Sequence, residues 1–162
     1  MRYRLNCQYS FARRVNTEKY KKMKHEELTA RIIGICIKVH EILGPGLLES
    51  VYEEAICYEL DKAGIFYNRQ QGIKANYGEV KLDIGFRADI IIENTLIMEL
   101  KSVEAIAPVH PKTLLTYMRL TNLEIGLLIN FNVALLKNGI TRLVDDEWQN
   151  RNRKNNPKES KT

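Results

Sequence analysis

Apolar residues recur at three- and four-residue steps from Leu28 through Ile32, Ile35, Cys36, Val39, Ile42 and Leu43, which predicts a helix over 26–43. Gly44-Pro45-Gly46 ends it, because proline cannot continue the backbone ladder. A second helix is predicted over about 47–63, with Leu48, Val51, Tyr52, Ala55, Ile56 and Leu60 on one side and Gly64 suited to its C-terminal cap. The two make a helical hairpin.

Beyond Gly64 the period changes to two. Ile65–Gln70, Ile73–Tyr77, Val80–Ile84, Phe86–Ile92 and Leu96–Ser102 read as strands of a meander, with breaks at Gly72, Gly78 and Asn94. The near-continuous apolar run around Ala88–Ile92 suggests a strand covered on both faces. Pro111 opens a third predicted helix over about 111–121. Leu123–Phe131 and Ile140–Val144 are the last predicted strands. Helices, antiparallel strands, a helix and further strands make an α+β domain with helices packed on the sheet.

The chain has 162 residues, which suits one domain with a single core. It contains no apolar run of membrane-spanning length and no signal-peptide core. Cys7, Cys36 and Cys57 are an odd number without close spacing, which favours a reducing, cytoplasmic setting over a disulfide framework. The net charge of +5 is unevenly distributed. Residues 1–24 hold eight Lys/Arg against Glu18, and residues 151–162 hold five against Glu159, whereas 25–144 hold 12 basic and 15 acidic residues. Segments 1–23 and 147–162 are therefore read as basic, solvated ends flanking a domain over 24–146, with Met23 close to its start. Such ends could hold nucleic acid loosely through its phosphates.

The chemistry concentrates at Asp89 and at Glu99-Leu100-Lys101. Period-two alternation points Glu99 and Lys101 to one face and Leu100 to the other. Asp89 joins them if a three-residue loop, Glu93-Asn94-Thr95, connects the two strands, pairing Asp89 with Glu99 and Arg87 with Lys101. A two-residue loop would split the group across both faces. Asn94 tolerates the left-handed backbone that a three-residue loop usually needs. Two hard oxygen donors suit Mg²⁺ or Mn²⁺, and the lysine can hold a water beside the cation. The plainer reading is a cross-strand ion pair on a solvated face.

Gly46-Leu47-Leu48-Glu49-Ser50-Val51-Tyr52, Arg87-Ala88-Asp89, Glu99-Leu100-Lys101, Leu114-Leu115-Thr116-Tyr117 and Gly126-Leu127-Leu128-Ile129-Asn130-Phe131-Asn132 together resemble the GxxExxY proteins, a family assigned to the PD-(D/E)XK nuclease superfamily. The resemblance runs from about Lys24 to Val144. It implies a restriction-endonuclease-like core, with the N-terminal helical hairpin packed on a mixed sheet beside a further helix. It implies metal-dependent hydrolysis of phosphodiester bonds, with DNA as the expected partner and Mg²⁺ or Mn²⁺ as cofactor; the lack of a long apolar run, separately, predicts no membrane partner. Asp89 matches the central metal-binding aspartate and Glu99 the second acidic ligand, with the Leu100 carbonyl as a third oxygen. Lys101 matches the lysine that orients the attacking water. Glu49 matches the helical glutamate that reaches the metal, directly or through water. Tyr117 matches the tyrosine of a Gln-x-x-x-Tyr helix, and Tyr52 belongs to the signature as a substrate-binding or supporting residue. The sequence departs from the pattern at Thr113, where glutamine is expected. Either Lys112 substitutes, or that element is lost.

The alternative function is a catalytically impaired nuclease-fold module that binds nucleic acid or protein. A third reading is an RNA-directed nuclease. Oligomeric state stays open, a homodimer included. Taken singly, Glu49 is an ordinary first-turn helix acid, and Tyr52 and Tyr117 are core-edge aromatics. Cys36 and His40 have zinc-ligand spacing but no second pair. His110 is expected to cap the third helix rather than line the site. No Gly-rich phosphate loop or Gly-x-Ser-x-Gly elbow occurs, which removes the NTPase and serine hydrolase classes. No helix-turn-helix, zinc-finger or RNP motif supplies sequence specificity.

Overall fold

The computed structural model describes residues 25–77 and 79–145, so the expectations for the two chain ends lie outside the described residues. Helix α1 spans His25–Leu43 and α2 spans Glu49–Lys62. Strands β1 (Tyr67–Tyr77), β2 (Val80–Ile92) and β3 (Leu96–Lys101) follow. Helix α3 (Val109–Thr121) leads to β4 (Ile125–Asn130), a short 3₁₀ turn (Leu136–Asn138) and β5 (Ile140–Val144).

The five strands lie in the order β1-β2-β3-β4-β5. Every neighbouring pair is antiparallel except β3 and β4, which run parallel. A parallel pair cannot be joined by a tight hairpin, and α3 makes the crossover. The sheet is mixed and buried on both sides, so β3 and β4 are apolar almost throughout. On one side α1 and α2 bring Leu28, Ile32, Cys36, Tyr52, Ile56 and Leu60 against Ile90, Ile92, Met98, Leu100, Leu127 and Ile129. On the other, Leu114 and Met118 of α3 pack on Ile73, Ala88, Ile91, Ile97 and Leu128. This is the α+β, restriction-endonuclease-like architecture expected from the sequence.

The differences are local. Four of the expected short strands are two long ones, because Gly72 stays in the ladder opposite Arg87 and the irregularity is a register shift between Ile73 and Ala75. Helix α3 begins two residues earlier than expected. Pro111 lies within its first turn, where a missing N–H costs no helical bond. Ile42, Leu43, Leu48 and Val51 are exposed rather than buried, Leu48 to 75%. Periodicity marks a helix face but not how far the sheet extends beneath it. Cys36 and His40 form no zinc pair. The Cys36 thiol lies against the Met98 sulfur at 3.8 Å, and His40 Nε2 is 2.8 Å from the Val133 carbonyl.

Among the described residues, no helix is long and apolar enough to cross a membrane.

Candidate active site

The β2–β3 hairpin sets the site. Ile92 pairs with Leu96, Ile91 with Ile97 and Ile90 with Met98, the register of the three-residue loop. The turn needs two left-handed residues, Glu93 and Asn94, rather than Asn94 alone. Glu93 is held there because its carboxylate accepts the Phe66 N–H at 2.7 Å and its own N–H donates to the Phe66 carbonyl at 2.9 Å. One step beyond Ile90–Met98, the Asp89 carboxylate takes over from the ladder: its Oδ2 accepts the Leu100 N–H at 2.8 Å. Strand parity puts Glu99 and Lys101 on the side of Ile97, which faces α3, and Asp89 meets them across the hairpin.

Lys101 lies beside Glu99, and its charge acts on both acids. Its Nζ donates to Leu100 O at 2.8 Å and is 3.4 Å from Glu99 Oε2. The Leu100 carbonyl expected as a third oxygen donor is thus engaged by the lysine. Glu99 is 7% exposed, and its Oε1 is buried without a hydrogen-bond partner among the described residues. Burial, reinforced by the Asp89 charge and opposed by Lys101, pushes the Glu99 carboxyl up to about 7. Asp89 is also raised, first by burial and then by Glu53 and Glu49, against the Leu100 N–H and Lys101. From α3, the half-buried Tyr117 phenol is raised by burial and by the charges of Glu99 and Asp89. It packs edge-on against Phe86, with ring centroids 5.9 Å apart.

Glu49 is the first residue of α2, and its charge is one of those that raise Asp89. Its Oε1 accepts the Ser102 N–H at 3.1 Å, and the Ser102 hydroxyl donates to Leu47 O at 2.6 Å. Tyr52 explains the rest of the Gly-x-x-Glu-x-x-Tyr spacing. Its hydroxyl donates to Gly44 O at 2.7 Å and accepts the Leu47 N–H at 3.1 Å, closing the turn that presents Glu49. Gly46, at φ +90°, has a backbone that other residues rarely adopt. The Tyr52 ring is fully buried and stacks on Phe131, with ring centroids 4.3 Å apart.

Thr113 is half-buried on α3, and Lys112 is exposed, with no ion pair to Asp89 or Glu99 among the described residues. The His110 ring accepts the Ala107 N–H at 3.3 Å through Nδ1, at the start of α3 as expected. Four residues escaped the sequence reading. Ser102 and Asn130 tie down the chain after β3; the Asn130 amide donates to Val103 O at 2.8 Å and accepts from Val103 N at 3.0 Å. Glu53 is buried, and Gln70 reaches both Glu53 and Asp89. Only Glu53 carried a readable signal, since it shares the helical stripe of Ile56, Cys57 and Leu60.

Among the described residues, no three His, Cys, Asp or Glu side chains close into a preformed metal cage. The donor set still suits a hard divalent cation that keeps several waters. It offers two adjacent carboxylates in a low-dielectric site, one with an orphaned buried oxygen.

A family model described as the PD-(D/E)XK nuclease superfamily matches residues 26–143. No curated protein and no solved structure matches the chain. The match runs from the first turn of α1 into β5 and contains Glu49, Asp89, Glu99, Lys101 and Tyr117. On that span, the chain belongs to the PD-(D/E)XK nuclease superfamily.

Proposed function

We propose that this chain is a metal-dependent nuclease of the GxxExxY type that hydrolyses phosphodiester bonds in DNA. The observation that carries the reading is the half-buried Asp89 next to the buried Glu99, with Lys101 beside Glu99 and Glu99 Oε1 unpartnered among the described residues. Two like charges in a poorly hydrated site repel, and a cation relieves both the repulsion and the orphaned oxygen. Asp89 and Glu99 would hold Mg²⁺ or Mn²⁺, which would supply Lewis acidity toward the phosphoryl group. Lys101 offsets negative charge developing on the phosphoryl oxygens and orients the attacking water. Glu49, anchored on Ser102, adds a third acid at the rim, and Tyr117 closes the α3 side.

The test is cleavage of duplex DNA, single-stranded DNA and RNA with Mg²⁺, Mn²⁺ or EDTA, for wild type, Asp89→Ala and Lys101→Ala. Expected is metal-dependent cleavage of DNA that both substitutions reduce by about a hundredfold or more. Preference for RNA would replace the substrate assignment, and cleavage surviving both substitutions would remove the catalytic one. The second reading, a binding module with an impaired site, rests on Thr113 and on the exposed Lys112. Binding of DNA without cleavage of any substrate would favour it.

A further inference from the structure

Gln70 is the only residue within a described strand, outside turns and helix ends, whose backbone is left-handed, at φ +50°. A non-glycine residue there is strained, and such strain persists only where the surroundings enforce it. The position is not arbitrary. Arg69 pairs with Ile90 and Gln71 with Ala88, so Gln70 stands opposite Asp89. Its amide nitrogen lies between two carboxylates, 2.7 Å from Glu53 Oε2 and 3.5 Å from Asp89 Oδ1. Glu53 is itself buried and fixed, because Arg69 binds its other oxygen and also pairs with Glu54. The series runs from Arg69 on β1 to Glu53 on α2, back to Gln70 on β1, then to Asp89 on β2 and the Leu100 N–H on β3.

We propose that Gln70 is a positioning residue that fixes the carboxylate plane of Asp89. The Leu100 N–H holds Oδ2, and the Gln70 amide, anchored on Glu53, faces Oδ1. A carboxylate bonded at Oδ2 and faced by a donor 3.5 Å from Oδ1 is restrained about its terminal torsion, yet each oxygen keeps a lone pair for a cation. An amide suits this place because it donates to both acids without adding charge, whereas a lysine would form an ion pair with Asp89 and compete with the metal. The φ +50° backbone brings the side chain to that point at the expense of local stability. The inference rests on the proposed metal-site reading of Asp89 and Glu99.

Gln70→Gly removes the amide and relieves the backbone, whereas Gln70→Ala removes the amide and keeps the strain. Calorimetric titration with Mn²⁺ should show both variants binding about tenfold more weakly than wild type, the size of effect typical when a partner of a metal ligand is lost. Thermal unfolding without metal should place Gln70→Gly at or above Gln70→Ala. A merely structural role predicts the opposite coupling, with affinity following stability. In metal-free protein, amide exchange at Leu100 should quicken severalfold in both variants, because Asp89 is no longer held. Wild-type Mn²⁺ affinity in Gln70→Gly, or unchanged Leu100 exchange, overturns the proposal. Failure of the wild type to bind Mn²⁺ would overturn the metal-site reading itself, with the Leu100 exchange still deciding whether Gln70 holds Asp89.

Discussion

Asp89 Oδ2 accepts the Leu100 N–H at 2.8 Å, so one carboxylate both ends the β2–β3 ladder and forms half of the candidate metal site. The two roles separate by mutation. Asparagine at 89 keeps an acceptor for the Leu100 N–H and removes the charge, whereas alanine removes both. Asp89→Ala is expected to be about 1–2 kcal/mol less stable than Asp89→Asn in EDTA, the usual cost of leaving a buried donor unmade. Both should lose Mn²⁺ binding. Denaturant titration checks the first statement, and equal stability of the two variants would contradict it.

Through Glu99, apo stability is expected to fall with rising pH. Its folded value of about 7 lies above the ordinary carboxyl value of 4.5, so the native state binds more protons than the unfolded chain between them. Stability is then lost as pH rises through that window, and the loss is complete above it. Asp89 shifts in the same direction and adds to the slope. The upper bound for Glu99 is about 3 kcal/mol. In EDTA, Glu99→Gln should flatten the pH dependence between roughly 5 and 7 and raise stability at pH 8. Saturating Mg²⁺ should flatten the wild-type curve. A wild-type protein that gains stability over this range would refute the argument.

Tyr52→Phe keeps the ring stacked on Phe131 but removes the hydroxyl that joins Gly44 O to Leu47 N–H. The expected loss is about 1–3 kcal/mol, since two backbone groups of the turn lose a shared partner. Cleavage should fall through displacement of Glu49, with affinity for nucleic acid nearly unchanged. Urea unfolding and a comparison of kcat with KM test this. A rise in KM alone would instead mean that Tyr52 contacts substrate.

Gly139→Ala should be more damaging than Gly126→Ala. A Cβ at 139 would lie 2.2 Å from the backbone oxygen of Asn130, which is pinned in β4. A Cβ at 126 would meet chiefly the Met118 sulfur at 2.6 Å, the end of a side chain that can move. About 1–3 kcal/mol is expected at 139 and less at 126. Melting temperatures in the reverse order would show that α3 is less able to yield than the Asn130 turn.

The sequence by itself determined the elements and the parity of the charged residues. Leu28, Ile32, Cys36 and Val39 had to share a helix face, and Glu99 and Lys101 had to share a strand face, because backbone geometry fixes both periods. The motif spacing also pointed to the PD-(D/E)XK nuclease superfamily, to which the chain belongs. Tertiary structure decided what periodicity cannot encode. Whether Asp89 met Glu99 depended on a hairpin register, which turned on Glu93 accepting left-handed geometry through a bond to the distant Phe66 backbone. Where the sheet ended beneath the helical hairpin decided that Ile42 and Leu48 are exposed. Gln70 and Ser102 gained their places through contacts across long stretches of chain, Gln70 to Asp89 and Ser102 to Glu49. Nothing local distinguishes that glutamine or serine from a surface residue. Burial next to a like charge raises Glu99, and burial belongs to the folded chain rather than to any segment of it.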